Sequence, residues 1–138
     1  MNKLKLVPVT EKLSDSIYEM FQEIPYSEPT QDDNVANGLS RDEFRKYCVI
    51  LEMASKNILL SYRVPNMTYF ILFDDKTPIG WYLLKMENLP KEYLNAGHIG
   101  YSIRPSKRGM GYGTAGLRMV VDIAKKKGYR RVCVTSNY

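Results

Sequence analysis

Arg104-Pro105-Ser106-Lys107-Arg108-Gly109-Met110-Gly111-Tyr112-Gly113-Thr114 is a basic, glycine-punctuated stretch between a strand-like run and a helix-like run. Before it, residues 97–104 (GHIGYSIR) are rich in β-formers. After it, Leu117, Val120, Val121 and Ala124 recur at the i, i+3, i+4, i+7 spacing of an amphipathic helix. The glycines therefore fall at a helix N-terminus, where the first backbone N–H groups lack intrahelical partners and the macrodipole is positive. An anion can rest on those amides if no side chain blocks its approach, and glycine at 109, 111 and 113 removes the block.

Working outward, Leu4 to Val9 predicts a first strand. Thr10 predicts the N-cap of a helix whose apolar positions are Leu13, Ile17, Met20, Phe21 and Ile24. Residues 25–39 are polar, with two prolines and a glycine, and read as a loop suited to a substrate lid. Ser40 and Glu43 form a capping box for a second helix, with Phe44, Tyr47, Cys48 and Leu51 on its buried stripe and an end near Asn57. Past an irregular Ser61 to Asn66, Thr68 to Phe73 and Ile79 to Met86 read as a hairpin around the turn chemistry of Asp74 to Pro78. Leu89 to Leu94 connects it to the strand over 97–104. A helix to about Lys127, capped by Gly128, and a strand over 131–136 complete the order β-α-α-β-β-β-α-β. The fold class is α/β, with a mixed central sheet flanked by helices: antiparallel in the middle, parallel for the last two strands. At 138 residues the chain makes one domain, 1–138.

Three glycine motifs compete for the central turn. Residues 111–116 fit G-x-G-x-x-G, but a dinucleotide fold needs further βαβ units and an acid at the end of the next strand, and residues 132–136 carry none. A Walker A loop ends in Gly-Lys-Ser/Thr, which is absent. Arg108-Gly109-Met110-Gly111-Tyr112-Gly113 matches Arg/Gln-x-x-Gly-x-Gly/Ala and so resembles the acetyl-CoA motif of the GNAT superfamily of N-acetyltransferases. Tyr101-Ser102-Ile103-Arg104-Pro105 resembles that family's strand before the loop, and the element order from Leu4, with Ile79-Gly80 in the hairpin and Asn137 after the last strand, extends the likeness.

The resemblance implies a V-shaped gap between the strands over 97–104 and 131–136 that takes acetyl-CoA as cosubstrate, with no metal. It implies that the amides of Arg108, Gly109, Met110, Gly111, Tyr112, Gly113 and Thr114 bind the pyrophosphate and that Ile103 bonds the pantetheine through its backbone. Tyr101, Ser102 and Asn137 complete the expected cofactor set. A splayed strand pair leaves backbone groups unpaired, and an extended amide-bearing ligand can complete the ladder. The implied reaction is direct attack by a primary amine on the thioester, through an oxyanion that wants a preplaced donor. A lysine-like ammonium, with a pKa near 10, must first lose a proton. The one histidine, His98, lies on the strand leading to the turn, and imidazole is the side-chain type whose free reference value of about 6.5 suits a base. Glu87, at the preceding strand's end, is the second candidate. Alternation places His98, Gly100, Ser102 and Arg104 on one face and Ile99, Tyr101 and Ile103 on the other.

Charge is polarised along the chain. From Arg104 to Arg131 nine basic residues stand against Asp122 alone; from Glu11 to Glu43 nine acids stand against Lys12 and Arg41. One part suits an anionic ligand and the other a cationic acceptor, such as a polyamine, an amino sugar or a lysine-like amine. Lys125, Lys126 and Lys127 read instead as solvated charges at a helix C-terminus. The basic stretch lacks the aromatic interleaving of a nucleic-acid site. No apolar run reaches the roughly 20 residues that span a bilayer, which points to a cytoplasmic protein without a membrane partner. Cys48 and Cys133, in apolar surroundings without C-x-x-C spacing, read as buried free thiols.

The family continues beyond the last strand into a helix, often with a tyrosine acid, and two more strands, whereas this sequence stops at Tyr138. Three expectations follow. The sequence is a piece of a longer chain, a second subunit in a homodimer supplies the missing wall, or the thiolate leaves without an acid. A noncatalytic CoA-binding or regulatory module is the alternative to an enzyme.

Overall fold

A computed structural model describes residues 3–25, 36–56, 67–87 and 97–134. Its frame is a four-stranded antiparallel meander of β1 (Leu4–Pro8), β2 (Met67–Asp74), β3 (Thr77–Lys85) and β4 (Ile99–Ile103), in that spatial order. β2 and β3 are joined by the two-residue turn Asp75-Lys76, with Asp75 at φ 56°, so the turn is tighter than the span 74–78 suggests. Pro78 is tolerated inside β3 because the register shifts opposite it, between Leu72 and Phe73.

Period-2 alternation divides the apolar residues between two cores. Tyr69, Ile71, Phe73, Trp81 and Leu83 face α1 (Ser14–Glu23) and α2 (Arg41–Ser55), meeting Ile17, Met20, Phe21, Phe44 and Leu51. Phe70, Leu72, Tyr82, Leu84, Ile99 and Ile103 face α3 (Tyr112–Lys126), meeting Val120 and Ala124. Each such large side chain, fully buried, contributes about 1.5–3 kcal/mol. The α2 capping box forms as expected: Glu43 N–H donates to Ser40 Oγ at 3.2 Å, and Ser40 N–H to Glu43 Oε1 at 2.8 Å. Gly128, at φ 91°, follows the end of α3.

Three expectations are corrected. Thr10 makes no side-chain cap; it precedes a 3-10 turn, Glu11–Leu13, and α1 begins at Ser14. Cys133 is exposed, and only Cys48 is buried. Of the strand expected over 131–136, the described part reaches the sheet only through bridges of Val134 to Gly97 and, in the parallel sense, Ile99. The reason is local: the N–H groups of Arg130, Arg131 and Cys133 bond to side chains instead of a neighbouring strand. Residues 135–136, Asn137 and Tyr138 lie outside the described residues, as do most of the expected lid, with Glu28, Asp32 and Asp33, and the segments 57–66 and 88–96.

Candidate acetyl-CoA site

Two backbone bonds fix the direction in which β4 presents its amides. Lys85 N–H donates to His98 O at 2.8 Å and Arg104 N–H to Ile79 O at 2.9 Å. In an antiparallel ladder alternate residues turn both polar groups to the same neighbour, so Gly100 and Ser102 also face β3. The N–H and C=O of Tyr101 and Ile103 therefore point to the opposite edge. There the Arg108 Nε–H donates to Ile103 O at 2.8 Å, so this arginine braces the turn against the edge strand. The edge keeps outward-facing donors at Tyr101 and Ile103, the arrangement an extended ligand needs.

The turn follows at once. Pro105–Lys107 form a 3-10 turn, Gly109 and Gly111 are left-handed at φ 77° and 87°, and Gly111 is the N-cap of α3. Among the described residues no side chain caps that terminus, so its first amides lack an intrahelical or side-chain partner there. At Gly113 a Cβ would lie 3.4 Å from the Tyr101 ring, an ordinary van der Waals contact. Gly116 goes further: a Cβ would lie 2.3 Å from the Tyr82 hydroxyl. Tyr82 stacks on Tyr101, with centroids 5.1 Å apart, and donates to Gly113 O at 2.8 Å, so two rings carry the first turn of α3 on the sheet. Burial raises the Tyr82 phenol, which stays protonated as that donor.

The Tyr112 side chain turns away and donates to Asp74 Oδ2 at 2.6 Å, leaving its backbone as the part facing the turn. That bond raises the Tyr112 phenol and lowers the Asp74 carboxyl. Met110 and Thr114 are exposed. Ser102 is buried on the sheet face opposite Tyr101, and its hydroxyl has no hydrogen-bond partner among the described residues. Asn137 lies outside the described residues.

The two candidate bases meet in one cluster that holds the segment after α3. Cys133 N–H donates to His98 Nδ1 at 2.9 Å; the proton is therefore on Nε2, which donates to Glu87 O at 3.1 Å. His98 N–H donates to Cys133 O at 2.7 Å. Glu87 Oε2 accepts from Arg130 and Arg131 N–H at 2.6 and 3.0 Å, and Tyr129 Oη–H donates to Lys85 O at 2.6 Å. The lone pair that a histidine base would use is thus engaged with backbone.

Glu23, the last residue of α1, belongs to the site although no sequence signal marks it. Its Oε1 receives Arg104 Nε at 2.9 Å and Nη2 at 2.8 Å, and its Oε2 receives Ser106 N–H at 2.6 Å. Burial pushes this carboxyl up, but the bonds from Ser106 and Arg104 and the guanidinium charge together hold it below its usual range.

The fold recurs in solved acetyltransferases. One from Salmonella typhimurium that modifies the N-terminal serine of ribosomal protein L7/L12 superposes with a TM-score of 0.67 at 17% identity, covering 95% of this chain and 69% of that one. An acetyltransferase from Trypanosoma brucei gives 0.57 at 18% identity over 98% and 84%. An aminoglycoside acetyltransferase in complex with coenzyme A gives 0.58 at 15% identity over 90% and 68%. A search of curated protein sequences finds no significant match. The model of the acetyltransferase (GNAT) family matches residues 14–138, and with so much of the sequence matched, the edge strand and glycine turn are those of a chain that belongs to the GNAT acetyltransferases.

Proposed function

We propose that this chain transfers the acetyl group of acetyl-CoA directly to a primary amine of a small molecule or peptide, with both substrates held in one complex. The observation that carries the reading is the junction of a β4 edge whose Tyr101 and Ile103 amides face outward with a left-handed turn into α3 that no side chain caps among the described residues. A ligand with amides along one part and a pyrophosphate further on suits both halves. Arg108 joins the halves through Ile103 O.

In the reaction the amine nitrogen bonds to the thioester carbon, the carbonyl becomes an oxyanion, and the carbon–sulfur bond then breaks to give an amide and a thiolate. The outward N–H of Ile103 is the donor proposed for the oxyanion. His98 and Glu87 are assigned to holding the segment 130–133 beside that edge, and the acceptor's proton passes to water. The acidic balance of residues 11–43 supports a cationic acceptor. The solved relatives act on a protein N-terminal serine in one case and are named for aminoglycosides in another, which supports an amine on either a peptide or a small molecule.

The test is incubation with acetyl-CoA and a panel of polyamines, amino sugars, lysine derivatives and peptides, reading thiol release together with product mass. Thiol release matched by a product heavier by one acetyl group is expected for at least one amine. Tight acetyl-CoA binding with no product from any amine would replace the enzyme by a CoA-binding module.

A further inference from the structure

Glu23 and Arg104 are 81 residues apart and join the end of α1 to the start of the glycine turn. On one side are Arg104 and Ser106, which flank Pro105 at the start of the glycine turn. On the other is the end of α1, where the backbone is fastened to the return of the chain before α2. Asn37 Nδ2 donates to Gln22 O at 2.8 Å and to Ile24 O at 2.9 Å. Gln22 Nε2 donates to Ala36 O at 2.8 Å, and Gly38 N–H to Gln22 Oε1 at 2.7 Å. Arg104 also reaches the hairpin, its Nη1 donating to Pro78 O at 3.1 Å.

From this geometry we infer that Glu23 is a positioning residue: it pre-orders the start of the cofactor turn and ties it to the α1 end and its partner segment 36–38. The inference rests on the acetyl-CoA reading of that turn. Both carboxylate oxygens are used by donors, and charge-assisted bonds of this kind are the strong ones. The ion pair is largely shielded, with side-chain exposures of 17% for Arg104 and 27% for Glu23, unlike the exposed pair that Glu19 of α1 makes with Arg41 of α2. Arg104 neutralises a carboxylate that would otherwise repel a pyrophosphate, so the pair holds the turn without leaving a net negative charge beside it. A turn already held in one conformation binds its ligand at a lower ordering cost, and by reciprocity an occupied turn steadies the α1 end.

Glutamine at 23 cannot serve both partners, because its amide nitrogen must face either the guanidinium or the Ser106 N–H. Glu23→Gln is therefore expected to weaken coenzyme A binding roughly tenfold by calorimetry, in a chain whose circular dichroism is unchanged. Arg104→Lys keeps the charge but loses the fork and the Pro78 bond; it is the second variant and should weaken binding in the same direction. Glu19→Gln, which removes the exposed pair, should leave affinity unchanged. Hydrogen exchange supplies a readout that a merely structural tie would not move: coenzyme A should slow the amides of 22–24 and 36–38 in the unaltered chain, and much less in Glu23→Gln. Equal affinities for the unaltered chain and both variants, or equal protection in all, would overturn the inference while leaving the acetyl-CoA reading intact. No coenzyme A binding by the unaltered chain would overturn that reading and this inference with it.

Discussion

At Gly111 the backbone sits at φ 87°, a region that costs a residue with a Cβ roughly 1–2 kcal/mol. Gly111→Ala is expected to lose about that much stability and part of its coenzyme A affinity. Gly111→Asp adds bulk and a negative charge where the pyrophosphate is proposed to bind and should abolish coenzyme A binding. Thermal unfolding and calorimetry on the pair separate the backbone effect from the charge effect. At His98 the expectation differs from that for a base. Because Nδ1 and Nε2 both hold backbone, His98→Ala should lower stability by about 1–3 kcal/mol and slow turnover modestly, while the pH–rate profile keeps its shape. Loss of a limb from that profile would restore the catalytic assignment. The two thiols also differ. Burial pushes Cys48 up to about 12, whereas Cys133 is exposed, so a thiol reagent at neutral pH should label one cysteine per folded chain and both in denaturant.

At the scale of elements, α3 packs closely on the sheet at Gly116. Gly116→Ala would force its methyl into the Tyr82 ring, and a loss of about 1–3 kcal/mol in chemical denaturation is expected, against about 1 kcal/mol for Tyr82→Phe, which gives up the bond to Gly113 O. The sequence marks α3, α2 and the hairpin because their signals are local: period 3.6, a capping box, two β-rich runs around a polar turn. It marks the glycine turn for the same reason. What it cannot mark depends on residues far apart in the chain. Glu23 reads as one more acid on an acidic helix until the fold sets it against Arg104, and Gly116 reads as a motif glycine until Tyr82 lies beneath it. His98 and Glu87 read as bases because an imidazole and a carboxylate can do that work. Their partners, Cys133 and the amides of Arg130 and Arg131, become visible only once the segment after α3 folds back. The Glu23 tie also has a pH signature. A carboxyl held below its usual value stabilises the fold fully above pH 4.5 and loses that contribution as pH falls through its folded-state value. Urea midpoints below pH 4.5 should therefore fall less steeply in Glu23→Gln than in the unaltered chain.

On the scale of the whole molecule, the chain carries a net charge of +5 that is unevenly shared. The basic stretch from Arg104 to Arg131 includes the turn proposed for a polyanionic cosubstrate, and the acidic stretch from Glu11 to Glu43 includes the segment of sequence between the first two helices. Fields of opposite sign on two substrates of opposite charge raise both encounter rates, and salt weakens both because the Debye length falls from about 10 Å at 0.1 M to about 3 Å at 1 M. If the acceptor is cationic, replacing Glu28, Asp32 and Asp33 together by their amides should raise its KM severalfold, leave the acetyl-CoA Kd unchanged and flatten the salt dependence of the acceptor KM. Replacing Lys125, Lys126 and Lys127 by glutamine should leave the acceptor KM unchanged, since those side chains lie on the last turn of α3 and just beyond it, where cations complement the helix dipole. An unchanged acceptor KM in the triple acid variant would remove the electrostatic argument for a cationic acceptor. It would move the choice of amine to the shape of the pocket, while the cofactor turn, which depends on none of the three acids, would keep its assignment.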